Sequence, residues 1–383
     1  GSNLGAVEMT LALHRVFTSP RDIILWDTGH QAYVHKIVTG RREGFAELRK
    51  EGGLSGYPNR AESAHDVIEN SHASTVLSYA HGIATGRHLR DGDDAGHVVA
   101  VIGDGSLTGG MAYEGLNNLG HSGSNVTIIL NDNGRSYAPT VSKLSESLAR
   151  IRANPIYMQR QRRLERFARS MPWVGGLVDR GIGATKAAVR EMWEPPAFFE
   201  DLGIRYLGPY DGHDVEAIES ALQNAKQFEA PTVVHILTQK GRGYAPAEND
   251  AIKLMHDTGS IRPGSYTAAF MDTLCKLGES HTDLVAITAA MPDSTGVLAF
   301  EERFPERCID VGIAEQHAMT MATGLAMAGM RPVVAVYSTF LSRAFDQLNL
   351  DAGLHGQHVV LALDRAGVTG DDGPSHHGVL DMV

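Results

Sequence analysis

At 383 residues the chain exceeds what one hydrophobic core usually organises, and an apolar content of 43% is enough for two. A formal charge of −11 excludes a sequence-independent grip on nucleic acid, which needs clustered Lys and Arg, yet leaves room for a local anion site. The two cysteines, Cys275 and Cys308, lie far apart without metal-ligand spacing, so neither a disulfide framework nor a zinc site is expected.

Short β-branched runs alternate with stretches at helical spacing, the pattern of mainly parallel sheets with helices on both faces, so the fold class is α/β. In chain order the first half predicts a helix at Val7–Val16, a strand at Ile23–Trp26, a helix at Ser74–Arg90 and a strand at Val98–Ile102. A helix at Thr108–Leu119, a strand at Val126–Leu130, a helix at Val215–Phe228 and a strand at Val233–Leu237 follow. The second half predicts a helix at Tyr266–Leu277, strands at Leu284–Thr288 and Cys308–Val311, and a helix at Gln316–Ala328. It closes with a strand at Val333–Tyr337, a helix at Ser342–Leu354 and a strand at Val359–Leu363. Between Asn249 and Gly264 the text turns polar and Gly/Pro-bearing, which divides the chain into a first domain 1–255, a linker 256–265 and a second domain 266–383. Residues 141–200 interrupt the rhythm with Arg160, Arg162, Arg163, Arg166 and Arg169 beside Trp173 and Trp193, read as a solvated helical excursion over the active-site face. No apolar run reaches membrane-spanning length and no leader pattern opens the chain, so a cytoplasmic protein is expected; the start at Gly1 rather than Met suggests a piece of a longer chain.

The most informative segment is Val98-Val-Ala-Val-Ile-Gly-Asp-Gly-Ser106, followed by a helix, a strand and Asn131-Asp-Asn133. Asp104 and Asn133 fall just past the carboxyl ends of consecutive strands joined by one crossover, where side chains of a parallel sheet converge on one crevice. Magnesium suits that pair: it takes few protein carboxylates and fills its octahedron with an amide oxygen, a backbone carbonyl (taken at Arg135), phosphate oxygens and water. Gly103 and Gly105 allow a tight turn into the next helix, whose first amides can receive phosphate. A dinucleotide fingerprint is a poor match, because the glycine spacing is wrong and a carboxylate would face pyrophosphate without a cation. Gly103-Asp-Gly105 alone also fits an ordinary strand-to-helix turn; Asn131-Asp-Asn133 at the next strand end argues against that.

Gly103-Asp-Gly105 with Asn131-Asp-Asn133 resembles the thiamine diphosphate signature, and longer strings are similar to one branch, the 1-deoxy-D-xylulose-5-phosphate synthases. These strings are Trp26-Asp-Thr-Gly-His-Gln-Ala-Tyr33, Tyr210-Asp-Gly-His-Asp214, Lys240-Gly-Arg-Gly-Tyr244, Asp310-Val-Gly-Ile-Ala-Glu-Gln-His317, Tyr337-Ser-Thr-Phe340 and Asp364-Arg-Ala-Gly367. Asn131-Asp-Asn-Gly-Arg-Ser-Tyr-Ala-Pro139 and Ser71-His-Ala-Ser-Thr75 are most similar to actinobacterial members. The resemblance implies two thiamine-diphosphate-binding-type domains, the second incomplete, and a third, transketolase-like domain that this sequence does not include. It also implies a family histidine just ahead of Gly1, likewise outside this sequence.

The resemblance further implies residue roles. Glu315 matches the carboxylate that hydrogen-bonds the cofactor's pyrimidine, although a helix-opening Glu is otherwise a first-turn charge. His30, His72, Ala73 and Ser74 would surround the thiamine, with the two histidines moving protons, and Gly103, Asp104, Gly105 and Ser106 would follow its diphosphate. Lys240 and Tyr244 would approach the cofactor, Met291 would pack on its rings, and Tyr337 and Phe340 would wall the site. Arg343 and Arg365 would serve the acceptor's phosphate and the site's structure, and Asp372 and His376 the substrate loop. The adjacent His377 makes a metal site imaginable, but paired histidines without carboxylate spacing seldom form one. The implied reaction is a decarboxylating condensation of pyruvate with D-glyceraldehyde 3-phosphate by a homodimer using thiamine diphosphate and Mg2+. A transketolase or dehydrogenase E1 component is the enzymatic alternative, and an inactive structural or interaction fragment is the non-enzymatic one.

Overall fold

Five consecutive apolar residues from Val98 to Ile102 cannot keep one face in water, so the strand that carries them must be covered on both sides. In the computed structural model, which describes residues 1–134, 194–250, 254–255, 261–370 and 373–379, that is what happens. Val98, Ala100 and Ile102 pack with Leu77, Leu116 and Phe199 on one face. Val99 and Val101 join Met9, Leu13, Ile218 and Leu222 on the other. The strands β1 (Ile23–Trp26), β2 (Val98–Gly103), β3 (Val126–Asp132), β4 (Arg205–Asp211) and β5 (Thr232–Leu237) form one sheet in the order β1-β2-β3-β5-β4, parallel throughout. A second parallel sheet has the order β7-β6-β8-β9, from β6 (Leu284–Thr288), β7 (Cys308–Asp310), β8 (Arg331–Tyr337) and β9 (Val360–Asp364). It too has a core on each face, Val285 and Ile287 contributing to one and Leu284 and Ala286 to the other.

The expected α/β class and most expected elements are present, with three corrections. Sequence analysis puts no strand between β3 and β5, whereas β4 lies there, because Gly208-Pro209 reads as a turn. At the sheet edge a proline is tolerated, and a register shift between Leu207 and Tyr210 absorbs it. The helix expected from Thr108 begins at Gly110, preceded by a tighter 3-10 turn over Gly105–Thr108. The expected helix Ser342–Leu354 is a 3-10 turn at Ser342–Ala344 and a wide π turn at Gln347–Leu354, since apolar spacing reports the buried face but not the hydrogen-bond pitch. The Arg-rich stretch with Arg160, Arg162, Arg163, Arg166, Arg169, Trp173 and Trp193 lies outside the described residues, as do Arg135 and Asp372. Among the described residues no helix is long and apolar enough to cross a membrane.

Candidate active site

β1 runs into Asp27, whose carboxylate turns back on the chain. Its Oδ2 accepts the Ser74 backbone N–H at 2.8 Å and its Oδ1 that of Val76 at 3.1 Å, seating the start of the helix Val76–Asp91. Burial pushes the Asp27 carboxyl above its ordinary range, and its hydrogen bonds offset part of that rise. Ser74 sits at φ 74°, a left-handed conformation costing a non-glycine residue on the order of 1–2 kcal/mol. From there Ser74 Oγ donates to the Ser106 carbonyl at 2.7 Å, tying this turn to the loop after β2.

That loop carries Asp104, only 2% exposed. Asp104 Oδ1 accepts the Asn133 backbone N–H at 3.3 Å, so the ends of β2 and β3 stand side by side on one cleft wall. The segment Asn131-Asp-Asn133 is braced from behind. Asn131 Nδ2 donates to Gln31 Oε1 at 2.8 Å, Thr238 Oγ1 donates to Asn131 Oδ1 at 2.6 Å, and Asp132 Oδ2 lies 3.0 Å from His235 Nε2. A Cβ on Gly103 would meet no protein atom, which leaves the cleft open at the strand end, where a phosphate must come close. A buried carboxylate and a side-chain amide oxygen beside open space form a donor set that suits a diphosphate-bound magnesium.

The opposite wall belongs to the second sheet. Asp310 Oδ1 accepts the backbone N–H of Ala290 at 2.7 Å and of Gly312 at 2.9 Å, joining the ends of β6 and β7. The next residue, Ile313, donates its N–H to Thr108 Oγ1 at 2.8 Å, while Thr108 Oγ1 donates to the Gly105 carbonyl at 2.7 Å. One hydroxyl therefore links the loop after β2 to the loop after β7. Two residues on, Glu315 opens the helix Glu315–Met327 and is 4% exposed. Burial raises its carboxyl above the ordinary value, and the guanidinium of Arg343, whose Nη1 is 3.7 Å from Oε2, opposes the rise. Arg343 Nη2 also donates to the Ala73 carbonyl, so the same side chain bridges both walls. The rings of Tyr337 and Phe340 stack at 5.4 Å and, with Met291 and Ile313, make this wall apolar.

Histidines close the cleft. Burial, with Lys240 nearby, pulls His30 down to about 3, so its imidazole is neutral. His72 Nε2 donates to the Ser375 carbonyl at 2.9 Å and lies 3.2 Å from Thr339 Oγ1. His376 stacks on Tyr57 at 5.4 Å and meets Phe340 edge-on at 5.6 Å.

A family profile described as 1-deoxy-D-xylulose-5-phosphate synthase matches residues 1–238, and one described as transketolase, pyrimidine binding domain, matches residues 263–383. The chain belongs to the 1-deoxy-D-xylulose-5-phosphate synthase family. It is 54% identical over 392 residues to the 1-deoxy-D-xylulose-5-phosphate synthase of Mycobacterium tuberculosis H37Rv, and 54% identical over 393 residues to that of Saccharopolyspora erythraea. Each alignment takes in 100% of this chain and 61% of the relative, so the chain spans about three fifths of the length of these relatives. A transketolase from Campylobacter jejuni superposes with a TM-score of 0.44 at 16% identity, over 99% of this chain and 67% of that one. That likeness is too slight to bear on function.

Of the residues expected from the family resemblance, His30, Ala73, Gly103, Asp104, Gly105, Ser106, Asn133, Lys240, Met291, Glu315, Tyr337, Phe340, Arg343 and His376 line this one cleft. His72 and Ser74 stand behind the lining, in the contacts given above. Tyr244 is 48% exposed and is not part of it. Arg365 borders a neighbouring hollow with Ser265, Thr267 and Asp364; its guanidinium lies 4.1 Å from the Tyr337 ring centroid, and its Nη1 donates to the Ser294 carbonyl at 3.1 Å. Asp27, Gln31, Tyr57 and Ser71 also line the cleft and were not expected there. Asp27 had a readable signal, the first polar residue after an apolar strand, as at Asp104. Tyr57, in Gly56-Tyr57-Pro58, offers none, and Ser71 stands only at the head of the family-like string Ser71–Thr75, with no role implied for it.

Proposed function

We propose that this chain carries the cofactor-binding part of an enzyme that decarboxylates pyruvate and joins the remaining two carbons to D-glyceraldehyde 3-phosphate. The products are 1-deoxy-D-xylulose 5-phosphate and carbon dioxide, and the cofactors are thiamine diphosphate and Mg2+. The observation that carries this reading is the meeting of Asp104 and Asn133 with buried Glu315 across one cleft. Asp104 and Asn133, with a backbone carbonyl at Arg135, would hold magnesium at the diphosphate end, and Glu315 would hydrogen-bond the pyrimidine. Bound thiamine diphosphate supplies the acyl-anion chemistry that no side chain offers.

The chain's own residues bind, orient and exclude water. Met291, Tyr337 and Phe340 keep the surroundings of Glu315 dry, which strengthens a hydrogen bond made there. Neutral His30, held uncharged by burial, can donate or accept a hydrogen bond beside the reacting carbons. Arg365, whose guanidinium lies on the Tyr337 ring in the adjoining hollow, would take the phosphate dianion that only the acceptor carries, and Asp372 and His376 would belong to the substrate loop. The two sheets with separate cores support a division into domains 1–255 and 266–383, joined by residues 256–265. Exposed Phe345, Leu354 and Val368 supply apolar surface consistent with a homodimer, and free Cys275 and Cys308 are consistent with a reducing cytoplasm.

The test uses the full-length enzyme with carbon-13-labelled pyruvate and D-glyceraldehyde 3-phosphate. Labelled deoxy sugar phosphate and carbon dioxide should form only when thiamine diphosphate and magnesium are both present. Product without cofactor, or use of a ketose phosphate donor in preference to pyruvate, would overturn the reading; the second outcome would instead favour a transketolase, the name attached to the profile over residues 263–383.

A further inference from the structure

Ser71 is buried against the loop that bears His376, although it takes no part in the chemistry described above. Its Oγ lies 3.2 Å from His376 Nδ1 and in short contact with Ser375 Oγ, which stands farther from the same nitrogen, at 3.5 Å. Two hydroxyl protons and one ring nitrogen must share these contacts. If Ser375 donates to Ser71 and Ser71 donates to Nδ1, both hydroxyl protons are used and Nδ1 accepts, which leaves the imidazole proton on Nε2. In the reverse direction Nδ1 carries the proton, Ser71 passes its own to Ser375, and the hydroxyl proton of Ser375 has no acceptor within this cluster. The ring plane is fixed independently, by the stack on Tyr57 with planes 12° apart and by the edge of Phe340. Stacking sets the plane but leaves the choice of nitrogen open; a hydrogen bond to one nitrogen decides it.

We infer that Ser71 is a positioning residue, which holds His376 as the tautomer protonated on Nε2 and so makes that ring a hydrogen-bond donor to a substrate oxygen in the cleft. The inference deepens the proposed function and rests on it for the identity of the substrate, but not for the tautomer. Fixing the donor in advance removes the need to reorganise it when an acceptor carbonyl arrives, and electrostatic stabilisation of developing oxygen charge depends on such preorganisation.

Two measurements test it. With nitrogen-15-labelled histidine, the two ring nitrogens of His376 in the parent protein should show the Nε2–H pattern, and Ser71→Ala should show a mixture of both tautomers. In the full-length enzyme, Ser71→Ala should lower kcat/KM for D-glyceraldehyde 3-phosphate by about threefold to tenfold, the value of one neutral hydrogen bond, and shift the pH profile of that constant. Thiamine diphosphate affinity should fall by less than this factor, although Ser71 lines the same cleft. An Nδ1–H pattern in the parent protein overturns the inference even if Ser71→Ala does not fold, and so does an unchanged His376 spectrum in Ser71→Ala. Failure of the parent enzyme to make a deoxy sugar phosphate would refute the proposed function and leave the tautomer measurement standing.

Discussion

Replacing Thr108 by valine should loosen the two walls of the cleft while keeping the shape of the side chain. Thr108 Oγ1 accepts the Ile313 N–H at 2.8 Å and donates to the Gly105 carbonyl at 2.7 Å, and a methyl group can do neither. Gly105 is buried and Ile313 half-buried, so the carbonyl is left with only its backbone partner in the 3-10 turn while the N–H can turn to water. Net contributions of about 0.5–1.5 kcal/mol for each neutral hydrogen bond give about 1–3 kcal/mol for the pair. Because the lost bond anchors the loop that leads into Glu315, part of this should appear as cofactor affinity, up to about a hundredfold loss. The assay pairs urea unfolding with calorimetric titration of thiamine diphosphate in the presence of magnesium. Thr108→Ser is the control, since it keeps the hydroxyl and loses only a methyl group. If the valine variant unfolds and binds like the parent, or the serine variant falls as far as the valine one, the hydroxyl bridge does not hold the walls together.

Asp104→Ala should abolish thiamine diphosphate binding with magnesium present, and a calorimetric affinity equal to the parent's would show that the carboxylate does not hold the metal. Glu315 has a carboxyl raised by burial, so its ionisation destabilises the fold as pH rises through the raised value, and that penalty is absent below the ordinary 4.5. Cofactor-free Glu315→Gln should therefore be more stable than the parent at mildly alkaline pH, with the gap closing as pH falls toward 4.5, and should exchange the thiazolium proton of bound cofactor more slowly. A stability gap independent of pH, or exchange as fast as the parent's by proton NMR, would count against its role. Arg365→Ala in the full-length enzyme should raise KM for D-glyceraldehyde 3-phosphate by about tenfold to a hundredfold, the loss of one charge-assisted contact, with little change for pyruvate. Equal losses for both substrates would mean that its packing on Tyr337 and its bond to Ser294 matter more than any phosphate.

Sequence reasoning recovers strands best where both faces are buried. Val98–Ile102 is a continuous apolar run, and Val126–Leu130 is broken only by Thr127, because their apolar residues face one core or the other. It misses β4, where alternating burial is weak and Gly208-Pro209 mimics a turn. Asp104 and Asn133 are legible because strand ends of parallel sheets point to one crevice, and that rule extends to Asp27, whereas Glu315, the first residue of a helix, is legible only through the family resemblance. What stays hidden depends on long-range packing. Tyr57 and Ser71 reach the cleft only because residues 54–72 fold under the loop of His376, and no local period announces such a contact. Arg365 follows a strand end as expected, yet its φ of 54° and its bond to Ser294 direct it to a neighbouring hollow, which only the backbone conformation reveals.

The central claim is that this cleft takes thiamine diphosphate with its diphosphate at β2 and β3 and its pyrimidine at Glu315. A crystal structure of the protein with thiamine diphosphate and Mg2+ tests it most directly. The expected result is a magnesium ion about 2.0–2.1 Å from oxygens of Asp104 and Asn133, with the Glu315 carboxyl in hydrogen-bond reach of the pyrimidine ring. A cofactor lying elsewhere, or one in this cleft with its metal held by other residues, would contradict the account.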